Sequence, residues 1–155
     1  MKLASLALAL LTAAGLLCQT AVRAADAALM EPVKSVLDHY LTIQTNLAND
    51  SIKGLDEHAG AIAKAVKSDT MKMLPPEVGS QAAALATATD LKAARKAFKP
   101  LSDSLIKYLA DHKLGKGVYR VAYCPMAEAS WVQTGKEIRN PYEGKEMLDC
   151  GEFKN

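Results

Sequence analysis

The residues best suited to chemistry in this chain carry sulfur and lie near its C-terminal end. Cys124 and Met126 form a C-x-M unit, Met147 and Cys150 form an M-x-x-C unit, and the loop between them holds the one tryptophan, Trp131. Thiolates and thioethers are soft donors and select ions such as Cu(I) over the oxygen-seeking Mg(II) and Ca(II). Turns at Pro125 and at Asn140–Gly144 would fold the loop back on itself. Cys124, Met126, Met147 and Cys150 are therefore a candidate site for Cu(I) or Ag(I). Zn(II) is a weaker match, because its structural sites use four Cys or His ligands and no histidine is near in sequence.

The same cysteines have a second chemistry. In an oxidising compartment Cys124 and Cys150 would form a disulfide. Closing a loop of about 27 residues stabilises by roughly 3.5 kcal/mol on the chain-entropy view. Methionine also fills irregular cores, so Met126 and Met147 gain weight only from their symmetric placement beside the cysteines. Trp131 is expected in the core of this region. Met71-Lys72-Met73 is an M-x-M pair in a loop before Pro75-Pro76, and Met71 and Met73 form an auxiliary candidate. His39 is expected on a polar helix face in water, and His58 at the edge of an apolar stripe. His112 is expected near a helix C-terminus, where a cation is favourable. Nucleophile-elbow, phosphate-loop, dinucleotide-binding and C-x-x-C motifs are absent from the sequence, so no enzymatic activity is expected.

The start of the chain bears on which compartment holds these sulfurs. Met1-Lys2 is a short positive segment, Leu3–Leu17 is apolar or small apart from Ser5 and Thr12, and Val22-Arg23-Ala24 ends in a small-residue cleavage pattern. This reads as a signal peptide over residues 1–24, with a periplasmic or secreted product. Its apolar run is too short for a membrane span. Cys18 would be a lipidation site only if a small residue preceded it, and Leu17 is bulky. The chain carries 19 Lys and Arg against 17 Asp and Glu. Lys2 and Arg23 would leave with the leader, so 17 would face 17, and no nucleic-acid partner is expected.

The 155 residues less a 24-residue leader leave 131, enough for one domain with its own core. Aromatic content is only 5%, so the core is expected to be aliphatic and helical. Val33, Val36, Leu37, Tyr40, Leu41 and Leu47 follow helical spacing, as do Ile52, Leu55, Ala59, Ile62, Ala63 and Val66. Asn49-Asp50-Ser51 is expected to break the first helix and cap the second. A short helix is expected over about residues 77–88. Asp90 should cap a fourth, with Leu91, Ala94, Phe98, Leu101, Leu105, Tyr108 and Leu109 on one face and Pro100 inside, kinking it near Lys96–Phe98. Gly115 and Gly117 are expected to end it. Residues 118–123 alternate as a strand. The expected fold is mainly α: an antiparallel bundle of about four helices over residues 25–116. A small irregular C-terminal cap with one or two short strands, residues 117–155, packs on it within one domain.

Two stretches carry a family resemblance. Arg95, Phe98, Leu101 and Ser102 fit an R-x-x-F-x-x-L-S pattern. Tyr123-Cys124-Pro125-Met126, Trp131, Glu137-Ile138, Asn140-Pro141-Tyr142, Gly144, Met147-Leu148 and Cys150-Gly151 fit a C-terminal signature. Both resemble the bacterial domain of unknown function 3347 family, with Trp131-Val132-Gln133 standing where that family usually has Trp-Leu-Ser. The family is similar to C-terminal extensions of some periplasmic adaptor subunits of heavy-metal efflux pumps, and it also occurs as stand-alone exported proteins. The resemblance implies a helical bundle, an envelope location and a link to copper or silver handling. An efflux adaptor protein is the partner it implies.

Overall fold

The computed structural model describes residues 29–154; the expected leader, Cys18 included, lies outside the described residues. Four helices come first: α1 (Val33–Ala48), α2 (Leu55–Lys67), α3 (Pro76–Ala86) and α4 (Leu91–Asp111). Strands β1 (Arg120–Cys124) and β2 (Ala129–Gln133), a 3-10 turn (Gly144–Met147) and a short β3 (Glu152–Phe153) follow. The fold is thus mainly helical, with a small antiparallel sheet of order β2-β1-β3 at the C-terminal end. Among the described residues, no helix is long and apolar enough to cross a membrane.

Helices α1, α2 and α4 bury most of the face that their spacing predicts, with Leu41, Ala63, Val66 and Leu91 half-buried. In α1, Val33, Val36, Leu37, Tyr40, Ile43, Gln44 and Leu47 turn inward, at the three- and four-residue intervals of a helical stripe. Pro76 opens α3, where its missing N–H is no loss. Asp90 caps α4, accepting the Ala93 N–H at 2.8 Å. That helix runs unbroken through Pro100.

Two helix ends differ from expectation. The Asn49–Ser51 break does not cap α2. The cap residue is Gly54, with no side-chain bond, and Asp50 is drawn instead to Arg95. The end of α4 comes before Gly115. Lys113 takes the left-handed conformation (φ 55), and the Leu114 N–H returns to the Leu109 carbonyl at 2.9 Å, which closes the last turn.

Consecutive helices pack against one another, whereas α1 and α4 meet mainly through β2. Tyr40 of α1 marks this seam. Its hydroxyl lies 2.8 Å from Ser102 Oγ of α4 and accepts the Val132 N–H of β2 at 3.1 Å. One hydrophobic cluster joins Leu37, Phe98 and Leu105 of the helices to Ala122, Cys124, Trp131 and Val132 of the sheet. β2 went unread because its residues do not alternate. Trp131, Val132 and Gln133 are all buried, and a strand covered on both faces shows no period-two pattern.

Candidate functional site

Cys124 is the last residue of β1 and is fully buried. Cys150 lies just before β3 and is half-buried. Antiparallel pairing of Tyr123 with Glu152 and of Ala122 with Phe153 brings the returning tail alongside the end of β1. The two Sγ atoms lie 2.9 Å apart. Gly151 permits this approach. Its φ of 141 is outside the range of ordinary side chains, and a Cβ there would sit 2.9 Å from the Tyr123 carbonyl oxygen and 3.0 Å from the Trp131 ring.

Asn140 holds the returning segment in place. It is fully buried, and its Nδ2 donates to the Cys150 carbonyl at 2.8 Å. Its Oδ1 accepts the N–H groups of Tyr142 and Glu143 at 2.8 and 3.1 Å. Its own N–H reaches the Leu148 carbonyl at 2.8 Å. The sequence marks Asn140-Pro141 only as a turn; the positioning role follows from burial, which a turn motif does not encode. The 3-10 turn is tied to the helices, since the Lys145 N–H donates to Asp50 at 3.2 Å. A Cβ on Gly144 would overlap the Asp50 carboxylate and the Arg95 guanidinium.

The two thiols are electrostatically unequal. Burial works against ionisation of Cys124. The Cys150 thiol, the Ala127 and Met126 N–H groups and the Asn140 side chain outweigh it and bring the Cys124 pKa below the ordinary thiol value. Cys150 is pushed up to about 11 by its hydrogen bond to Cys124, by burial, and by the negative charge of Cys124, Glu143 and Asp149. Of the two, Cys124 is therefore the more readily ionised, with the Cys150 sulfur 2.9 Å away as its neighbour. A thiolate is the form that attacks and the form that binds metal.

The separation of 2.9 Å lies between two chemistries. A disulfide needs about 2.05 Å. Two thiolates about 2.3 Å from one ion, at the tetrahedral angle, sit about 3.8 Å apart. A disulfide needs the sulfurs about 0.9 Å closer, and a shared ion needs them at least about 0.9 Å further apart, more as the coordination number falls.

Other candidates are placed as follows. Met147 ends the 3-10 turn, half-buried, and its carbonyl accepts the Cys150 N–H at 3.0 Å. Met126 follows β1 and is 68% exposed. Trp131 is buried, with its Nε1 donating to Gln133 Oε1 at 2.8 Å. Met71 is exposed, while Met73 is half-buried beside Leu74 in a cleft between α2, α3 and the end of α4. Among the described residues, no group of three or more His, Cys, Asp or Glu could hold a metal ion. The thiol pair thus supplies two donors, and any further ones must be thioethers or exogenous. His112 sits at the C-terminal cap of α4 with Nδ1 2.9 Å from the Tyr108 carbonyl. His39 stays partly exposed but also has a protein partner that its polar-face position does not predict: its Nδ1 lies 2.9 Å from Nδ1 of His58, on the neighbouring α2.

The R-x-x-F-x-x-L-S residues of α4 form the surface that receives this C-terminal segment. Arg95 donates to the carbonyls of Pro141 at 2.9 Å and Leu47 at 3.2 Å. Phe98 stacks on Tyr40 with ring centroids 4.9 Å apart and meets Tyr142 at 5.9 Å. Leu101 is buried, and Ser102 meets the Tyr40 hydroxyl. No curated protein and no solved structure matches the chain. The family described as "Protein of unknown function (DUF3347)" matches residues 36–117, which takes in all four of these α4 residues and stops before β1. With more than half of its length matched, this chain belongs to the DUF3347 family.

Proposed function

We propose that this protein is exported and binds a soft metal ion, Cu(I) or Ag(I), through Cys124 and Cys150, with no catalytic role of its own. Met126 and Met147 are the flanking thioether donors, and Met71 and Met73 are a weaker auxiliary pair. The ion is cargo, buffered or passed to an efflux adaptor protein. The observation that carries the reading is the pairing of sulfurs from distant positions, with Cys124 held toward its thiolate form. Low-coordinate soft ions accept such a two-sulfur set. The exposed Met126 and the half-buried Cys150 keep one side of the pair open to exchange. The signal-peptide pattern at the start of the chain supports export.

A second reading is favoured by the raised pKa of Cys150, which opposes a second thiolate. There the cysteines close a disulfide and the helices form an interaction module for an envelope protein, with no metal role. Thiol titration and metal analysis of protein purified without reductant, followed by Cu(I) competition titration after reduction, separate the two. The metal reading expects about one equivalent of Cu(I) per reduced chain. Cys124→Ser or Cys150→Ser should weaken binding far more than Met71→Leu. A mass two units low, no bound metal, and no Cu(I) binding after reduction would establish the second reading instead.

A further inference from the structure

We propose that His39 and His58 form a second metal site, independent of the thiols, for a divalent ion of tetragonal preference, Cu(II) or Ni(II). His39 lies on α1 and His58 on α2, and their Nδ1 atoms face each other at 2.9 Å with ring centroids 5.2 Å apart and planes tilted by 46°. A neutral imidazole has one N–H and one acceptor nitrogen. Two facing Nδ1 atoms therefore require opposite tautomers, with one proton between them. A cation in place of that proton meets two nitrogen lone pairs at once.

The spacing matches the ion. Metal–imidazole bonds of about 2.0–2.1 Å set at 90° put two nitrogens about 2.9 Å apart. That is the cis edge of a square-planar or tetragonal site, the geometry of Cu(II) and Ni(II). The rings need only swing so that both lone pairs converge off the line joining them. Their backbones are held by packed helices, with Leu37 of α1 and Ala59 and Ile62 of α2 buried. Both histidines are partly exposed, so water can complete the coordination. Among the described residues no Cys, Asp or Glu joins them to make a three-ligand group, and the remaining positions are open to exogenous ligands.

The test uses the full chain carrying Cys18→Ser, Cys124→Ser and Cys150→Ser, which has no thiol left to bind or reduce Cu(II). Cu(II) titration followed by electron paramagnetic resonance should show one equivalent with splitting from two imidazole nitrogens. His39→Ala and His58→Ala should each abolish the two-nitrogen pattern. Each should weaken binding by at least the about 10- to 100-fold that loss of an outer-shell partner costs a metal site. His112→Ala should change neither. His39→Gln keeps a polar partner for His58 and should retain parental circular dichroism while losing the pattern, which separates ligand loss from misfolding. Absence of Cu(II) binding, a spectrum with fewer than two nitrogens, or unchanged affinity in the His39→Ala/His58→Ala variant would overturn the site.

Discussion

Leu37, Ile43, Ile62, Leu85 and Leu105 pack the helices together through side chains that need no particular partner atom. Tyr40, Gln44, Arg95 and Arg139 hold the C-terminal segment through bonds that each reach a named acceptor or donor. Gln44 Nε2 donates to the Arg139 carbonyl at 2.7 Å, and Arg139 Nη2 donates to Asn49 Oδ1 at 2.7 Å. Tyr40 meets the Val132 N–H, and Arg95 meets the Pro141 carbonyl. Apolar packing is non-directional and tolerates exchange of similar volumes. Hydrogen bonds fix both distance and angle. The helices therefore supply bulk stability, while the polar tethers set where the two sulfurs stand.

Trp131 is the largest fully buried side chain of the sheet and joins the common apolar core, so its loss tests whether the two regions stand or fall together. Trp131→Ala should cost about 3–5 kcal/mol, the usual range for a buried aromatic. Helical and near-ultraviolet circular dichroism should melt in one transition, lower than the parent's. If helicity keeps its parental midpoint while the aromatic signal is lost, the sheet is an energetically separate layer.

Tyr40→Phe removes one hydroxyl and leaves the rings stacked. The buried Ser102 hydroxyl and Val132 N–H lose their partner, at a cost of about 1–3 kcal/mol. Denaturant unfolding should show a lower midpoint with an unchanged slope. An unchanged midpoint would mean that the tether contributes position and no stability.

Asp50 sharpens the comparison by pH. Its hydrogen bond from Arg95 outweighs burial and, with the Lys145 N–H and charge, lowers its pKa below the ordinary 3.8. A depressed folded pKa contributes stability that is present above the unfolded value and is lost as pH falls through the folded one. The parent should thus lose stability more steeply than Asp50→Asn as pH drops below about 4, the ordinary carboxylate range. Thermal melts at stepped pH read the difference. Parallel curves for the two proteins would remove Asp50 from the set of tethers.

The smallest expected change in stability is that of Met126→Leu. The side chain is 68% exposed, so stability should move by less than about 0.5 kcal/mol. Cu(I) affinity in a competition titration should nevertheless fall if the thioether is a donor. An unchanged affinity would confine the soft site to the two cysteines and Met147.

Much of the helical region was legible because its information is local. The three- and four-residue spacing in α1, α2 and α4, the cap at Asp90 and the Pro75-Pro76 break each concern neighbours a turn apart. The α2 start was misread for a related reason. Asp50 has the side chain of a cap, but its partners, Arg95 and Lys145, come from distant parts of the chain, and that competition is invisible in a window of a few residues. β2 was hidden by burial on both faces, and the His39–His58 contact by the packing of two helices whose relative rotation no single stripe specifies.

Side-chain type and spacing alone carried the helical class and the DUF3347 membership, and marked Cys124 and Cys150 as candidates without choosing between metal and disulfide. Side-chain type and periodicity are properties of the chain, and they survive without coordinates. Which thiol ionises more readily was left to the three-dimensional arrangement. Cys124 is stabilised by N–H groups from the turn after β1 and by Asn140, whereas Cys150 faces Glu143, Asp149 and Cys124. Such a balance of burial, hydrogen bonds and charge is a sum over groups gathered from three separate segments. It exists only once the sheet has closed against α1 and α4.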